Sequence, residues 1–375
     1  MRILLISGQV PTRYHAGGQR LLDLYAELRC IQPDLHLALV TCGDHFDIDL
    51  LGVAFDEVHF LSGGQFSKHG LSTLTFEALD FDVIDLQFHQ TGALIGAVRK
   101  RWPTATLIFA PMESQLRAVK IALTKSKRVL LRMWPSILAL TLNALREACY
   151  VLRADKVVTV SDSDRDVLAF LKQEDRVTCL PTCISPQVAS IGGALPMSAE
   201  CATIVFFAYY GSRTNQEAVN WFIDKVHPAI CRALPSYRLR VVGHGIDEPL
   251  LKSCAIGQVE VIGAVTTIAD ALDGAAVGIS PALSGAGVRG KIHQYAALGL
   301  PCVASPIACE GLSYKDGDSI FIANDAHQFA EACIALLQDK SLRERVRHKA
   351  MTVCRDHYQW SKWRVEIASI YELND

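Results

Sequence analysis

The chain has no run of about 18 uncharged apolar residues of the kind that spans a bilayer. Its longest candidate, Val129 to Leu145, is interrupted by Arg132 and Pro135. The opening segment Met1-Arg2-Ile3-Leu4-Leu5-Ile6-Ser7-Gly8 has too short an apolar run for a secretory signal. It reads instead as the first buried strand of a parallel sheet, and the chain is expected in the cytoplasm. Positive charge is not in surplus: 37 Lys and Arg stand against 39 Asp and Glu, a net charge of −2. An overall field that holds nucleic acid is therefore excluded. No Cys-x-x-Cys pair occurs among the 12 cysteines. Cys179 and Cys183 are the closest two, without the second pair that a zinc site needs. Buried, reduced thiols are expected, and no metal or cofactor. Gly-x-Gly-x-x-Gly is also missing after the first strand of either half, which argues against a dinucleotide enzyme.

What is present points to an α/β protein. A length of 375 residues, 50% of them hydrophobic, exceeds a typical single core and fits two domains. Short β-branched runs alternate with amphipathic stretches, which implies parallel sheets with crossover helices. Expected strands in the first half are Arg2–Ser7, His36–Val40, Glu57–Phe60, Val83–Phe88, Thr106–Ala110 and Lys156–Val160. In the second half they are Ala202–Phe207, Arg238–Val242, Val259–Ile262, Val277–Ser280, Pro301–Ala304 and Ser319–Ile322. The pattern restarts near residue 202, after a segment rich in Ser, Ala, Gly and Pro. The expected organisation is a Rossmann-like domain over 1–185, a linker over 186–200, a second Rossmann-like domain over 201–350, and a helix over 351–375 that packs back on the first domain. Two doubly wound domains would set the ends of their strands around a shared cleft.

Three loops carry chemistry. The first, Gln9 to Arg20, follows a strand and leads into an amphipathic helix, Leu21 to Leu28, with Gly17 and Gly18 letting backbone approach a ligand. The second is Tyr210-Gly211-Ser212-Arg213-Thr214-Asn215, again after a strand, with Asn215 as a candidate N-cap. The third, Ser280 to Val303, reads strand, Gly-rich loop, helix, glycine stop, strand. Gly285 and Gly287 would bare N–H groups at a helix N-terminus, while Arg289 and Lys291 add positive charge: together, a diphosphate site.

These motifs fall in a familiar order. Gly211-Ser212 with Asn215, then Val242-Gly243-His244-Gly245, Ile262-Gly263-Ala264-Val265, the Gly-Ala-Gly-Val-Arg-x-Lys-Ile run, and Glu310-Gly311-Leu312 resemble the family 4-like retaining glycosyltransferases of GT-B fold. Gly17-Gly18-x-Arg20, Glu147 before Ala154-Asp155, and Ser161-x-x-Asp164 also look like that family. The resemblance implies a nucleotide-sugar donor held mainly by the second domain. Gly243, Val265 and Gln294 would border the nucleoside. Gly211, Ser212, Gly285, Gly287, Val288, Arg289 and Lys291 would border the diphosphate, with Gly17 and Gly18 from the first domain. Glu310, Gly311 and Leu312 would lie near the sugar. The first domain would bind a glycan or lipid-linked acceptor, and no bound metal would be needed.

The sequence departs from the family pattern in places. The second of two family glutamates falls at Gln294, and only Ser284 or Gly285 matches the first. The family histidine after the fifth strand is replaced by Ala110-Pro111-Met112-Glu113-Ser114, which makes His89 and Glu113 the alternative catalytic candidates beside Gln294. From 114 to 146 there is no acidic residue, while Arg117, Lys120, Lys125, Lys127, Arg128, Arg132 and Arg146 sit among apolar residues. That stretch reads equally as a solvated face, a peripheral contact with the inner face of a membrane, or a groove for an anionic acceptor. A binding protein that has lost turnover, a sugar-nucleotide epimerase and, by fold alone, an NAD-dependent dehydrogenase remain competing readings.

Overall fold

A computed structural model of the chain describes residues 1–13, 16–43, 48–63, 66–77, 80–123, 134–191, 193, 202–284 and 290–373. The chain forms two compact units. The first comprises Met1–Pro181 and Trp363–Asp375, and the second Thr182–Lys362.

The first unit is built on strands β1 (Arg2–Ser7), β2 (His36–Cys42), β3 (Glu57–Leu61), β4 (Val83–Gln87), β5 (Thr106–Ala110), β6 (Lys156–Thr159) and β7 (Val177–Cys179). They pair in parallel in the order β3-β2-β1-β4-β5-β6-β7. Residues of β1, β2, β4 and β5 are buried almost throughout, as a sheet covered on both faces demands. Of its helices, α1 (Ala16–Ile31) follows β1, α2 (Ile95–Arg101) precedes β5, and α3 (Gln115–Leu123) and α4 (Trp134–Arg153) lie between β5 and β6. Leu4, Ile6, Val40, Leu86, Phe109 and Val157 are core residues here.

The second unit carries β8 (Thr203–Phe207), β9 (Arg238–Val242), β10 (Val259–Gly263), β11 (Val277–Ser280), β12 (Cys302–Ala304) and β13 (Phe321–Ile322). They form one parallel sheet in the order β10-β9-β8-β11-β12-β13. Helix α5 (Arg213–Trp221) follows β8, α6 (Gly290–Ala297) follows β11, and α7 (Lys340–His357) comes late in the chain. Ile204, Phe206, Val241, Ile279, Phe222 and Phe329 share a core on one side of the sheet, while Val205, Ala271, Ile292 and Tyr295 fill the other. Each sheet reverses its strand order once, between β1 and β4 and between β8 and β11. Ligands of doubly wound sheets bind beyond the strand carboxyl ends at such reversals.

The segment read as a linker is partly structured. Pro186–Ile191 forms a helix of the second unit, Val188 is buried in its core, and Ile184 bridges Gln359. Met351 to His357 continues α7 in the second unit, because Ala350 and Cys354 are buried in that unit's core. The chain joins the first unit again only at Trp363, where α8 (Arg364–Tyr371) begins one residue later. Tyr371 then donates its hydroxyl to Asp85 Oδ2 at 2.6 Å, beside Tyr25 at 3.0 Å. Gln87 Nε2 donates to both oxygens of the same carboxylate, at 3.0 and 2.9 Å. Burial raises the Asp85 pKa, and these hydrogen bonds pull it back.

Candidate functional site

In the second unit the strand order reverses between β8 and β11, and the loops and helices that follow these two strands carry polar side chains that meet. Lys291 stands at the second position of α6, next to the helix N-terminus. Its Nζ donates to Asn215 Oδ1 at 3.1 Å and sits 4.4 Å from the centre of the Phe206 ring. The negative π-face of the ring attracts the ammonium, at a helix N-terminus that itself favours an anion. Asn215 is not the N-cap of α5; Ser212 holds that place. Asn215 instead anchors the loop, donating Nδ2 to the Tyr209 carbonyl at 2.8 Å.

The loops after β8, β9 and β10 are laced together beneath this contact. Tyr210 N donates to His244 O and Gly243 N to Gly263 O, both at 2.7 Å. Gly243 has φ +140°, and a Cβ on it would fall 1.8 Å from the Ala208 carbonyl oxygen. A Cβ on Gly245 would meet Gly211 N at 2.5 Å. These glycines let three backbones touch, and Gly211 is left exposed at the edge with Ser212 half-buried beside it. Ser305 closes the next loop, donating Oγ to Ala282 O at 2.6 Å and N to Ser280 O at 3.1 Å. Phe206 and Ser305 were not singled out from the sequence, because each acts through a partner distant along the chain.

Gln294 is half-buried three residues after Lys291, on a neighbouring position of α6. Val265 packs against the core, as does Leu312, while Glu310 and Gly311 are exposed. Gly285, Gly287, Val288 and Arg289 lie outside the described residues. So do Lys125, Lys127, Arg128 and Arg132 of the basic stretch.

In the first unit the reversal lies between β1 and β4. Gly17 and Gly18 occupy the first turn of α1, Gly18 buried and Gly17 half-buried, with no acidic residue in that turn. Gln90 Nε2 donates to Gly8 O at 3.2 Å and ties the loop after β1 to the loop after β4. His89 follows Phe88, whose φ of 73° ends β4 and turns the chain into a 3-10 helix. Its Nδ1 is buried without a hydrogen-bond partner among the described residues. Burial lowers its pKa and the nearby charge of Arg146 lowers it further, so the ring is neutral near pH 7. Glu113 is exposed just beyond β5.

Two sequence-noted carboxylates prove to be interior. Glu147 of α4 accepts Gln115 N at 3.0 Å, Leu116 N at 2.9 Å and Ser114 Oγ at 2.9 Å, capping the first turn of α3. Asp164 accepts Ser161 Oγ at 2.7 Å and lies 3.5 Å from Arg117 Nη1. Burial raises the pKa of both. Among the described residues, no three His, Cys, Asp or Glu side chains group as metal ligands, and no helix is long and apolar enough to cross a membrane.

Residues 202–339 match the family model described as glycosyl transferases group 1. A protein in the cps region of Klebsiella pneumoniae is 28% identical over 168 residues, covering 43% of this chain and 42% of that protein. A phosphatidyl-myo-inositol mannosyltransferase of Mycobacterium leprae is 29% identical over 177 residues, covering 45% of this chain and 46% of the relative. The chain thus spans less than half the length of the curated relatives it matches. Among solved structures, Anabaena HepE in complex with UDP-glucose is similar over 99% of both chains, with a TM-score of 0.71 at 13% identity. Sucrose-phosphate synthase from Thermosynechococcus elongatus is similar over 99% of this chain and 98% of that one, with a TM-score of 0.73 at 14% identity. At such identity the likeness is one of fold.

Proposed function

We propose, from the premise that residues 202–339 belong to the group 1 glycosyl transferases and that the chain has the GT-B fold, that this protein transfers a sugar from a nucleotide-sugar donor. The acceptor is a hydroxyl of a glycan or a lipid-linked carrier, the anomeric configuration is retained, and the product enters a surface polysaccharide or glycoconjugate. The observation that carries the reading is the Lys291 ammonium held by Asn215 and Phe206 at the strand-order reversal of the second unit. The UDP-glucose complex of the similarly folded HepE and the mannosyltransferase among the relatives support it.

In this mechanism the second unit holds the donor and the first unit the acceptor. Lys291 and the α6 N-terminus bind the diphosphate, and Gly285, Gly287, Val288 and Arg289, outside the described residues, are assigned to the same group from the sequence alone. As the anomeric C–O bond breaks, its electron pair goes to the leaving nucleoside diphosphate. A phosphate oxygen takes the proton of the acceptor hydroxyl, whose oxygen bonds the anomeric carbon on the same face. The charge that builds is on the diphosphate, where a fixed ammonium stabilises it without reorganisation. Gln294 binds a ribose hydroxyl as a neutral partner. Glu310 and Gly311 border the sugar. His89, neutral near pH 7, hydrogen-bonds the acceptor. No bound metal is needed, because fixed cations and helix N–H groups carry the phosphate charge.

The test is thermal stability against UDP, GDP, ADP, CMP and NAD, with and without a chelator. One nucleoside diphosphate at 100 times its dissociation constant should stabilise the fold by about 2.7 kcal/mol, and the chelator should change nothing. Lys291→Ala should weaken that binding about 10- to 100-fold while shifting the unliganded melting point little. A response to NAD alone overturns the reading. Gln294, standing where the family has a carboxylate, favours a second reading, a relative that binds the donor without turnover. Nucleotide binding with no sugar transfer to any acceptor glycan would decide for it.

A further inference from the structure

Helix α4 turns one face inward through Ile137, Ala144, Glu147 and Val151. On another face Leu138, Leu142, Leu145, Cys149 and Leu152 follow one another at steps of four and three residues, and all are exposed. The four leucines keep 54%, 49%, 60% and 60% of their surface open. Residues 138 to 152 put this stripe over about 21 Å of helix. The adjoining α3 adds Ile121 and Leu123, also exposed. Singly exposed leucines are ordinary, but a contiguous stripe marks a surface that is covered in use.

The charge around the stripe says what covers it. Arg146 and Arg153 are exposed on the same helix, and its one acidic residue, Glu147, is buried. At the C-terminal end of the stripe, Arg153 lines a shallow hollow of about 440 Å³ together with Ile95, Gly96, Arg99 and Lys100 of α2. Leu152 and Arg153 also line a second hollow with Lys172 and Arg176. The carboxylate there, Asp155, already accepts Arg99 at 2.6 Å and Leu107 N at 2.8 Å. Among the described residues no carboxylate pairs with Lys100, Arg146 or Arg153. A second copy of the chain would bring arginines against arginines along this seam. An anionic surface would match them.

We propose that the leucine stripe of α4 rests on an anionic lipid bilayer, with Lys100 and Arg153 receiving lipid phosphate at the end of the stripe. The broad expectation of membrane contact over 114–146 narrows to a helix lying in the interface with a basic pocket at its C-terminal end. The proposal does not rest on the donor reading, since it uses none of those residues.

The experiment is co-sedimentation of the full chain with vesicles of phosphatidylcholine alone and with vesicles that also carry phosphatidylglycerol. Binding is expected to the anionic vesicles only. Lys100→Ala and Arg153→Ala should each lower the partition coefficient about fivefold. Leu142→Ser with Leu145→Ser should lower it about tenfold or more. All four side chains are outside the core, so unfolding midpoints and nucleoside diphosphate affinity should stay unchanged. Equal partition of wild type and variants overturns the proposal, as does no binding of the wild type. A dimer in sedimentation equilibrium that the leucine variant dissolves overturns it in favour of a second copy. Stabilisation by inorganic phosphate that Lys100→Ala with Arg153→Ala abolishes, without vesicle binding, overturns the lipid source.

Discussion

His293 lies one residue before Gln294 yet turns into the core of the second unit. Its ring stacks on Tyr358 with centroids 3.7 Å apart, and Nδ1 meets Tyr314 Oη at 3.2 Å. Nε2 is buried with no hydrogen-bond partner among the described residues. Burial therefore pushes the pKa down from 6.5 to about 3. Between those values the unfolded chain binds a proton that the folded chain refuses, so stability falls as pH falls below about 6.5. By pH 5 this one ring accounts for about 2 kcal/mol. His293→Phe keeps a stacking ring and removes the proton, so the loss of stability between pH 7 and pH 5, measured by urea unfolding, should shrink by about that much. An unchanged pH slope would mean that the ring takes its proton while folded. Tyr358 in turn accepts Ser313 N at 2.7 Å, which ties this buried stack to the loop carrying Glu310 and Gly311.

At the scale of the element, α3 depends on a residue of α4. Glu147 satisfies two backbone donors of the first turn of α3 and the Ser114 hydroxyl. Glu147→Leu would strand all three in the interior and should cost about 2–5 kcal/mol, read as a lower denaturant midpoint. Gly243→Ala should be worse tolerated than any other substitution at the donor edge, because its Cβ would overlap the Ala208 carbonyl and its φ is positive. Soluble expression of the alanine variant checks this. Most elements were legible in the sequence because continuous apolar runs announce buried strands: β1, β5, β9 and β11 begin and end where the runs do. The short β7 was not, since three residues with a single buried valine carry no period. Nor was the end of β4, where Phe88 leaves the strand with a positive φ that no composition signals. The clasp of Lys291 by Asn215 joins residues 76 positions apart and Tyr371 reaches Asp85 across 286, so neither leaves a local trace.

The whole molecule holds two cores that need not melt together. Calorimetry should resolve two transitions, and a nucleoside diphosphate should raise the one belonging to the second unit. Tyr371→Phe should lower the other, since buried Asp85 then loses its shortest hydrogen bond, at a cost of about 1–3 kcal/mol. If both ligand and substitution moved a single transition, the two cores would be one cooperative body. The return of the chain to the first unit has a consequence in time. Ribosomes release the amino-terminal end first, yet the Asp85 carboxylate waits for the Tyr371 hydroxyl. The intervening 371 − 181 = 190 residues take about 10–40 s to emerge. For that interval the nascent first unit carries a buried acid short of a donor, and the second unit reaches its own last residue, Lys362, before Tyr371 is made. Order of birth and order of completion are therefore inverted, and chaperone engagement should concentrate on the half of the protein that was made first.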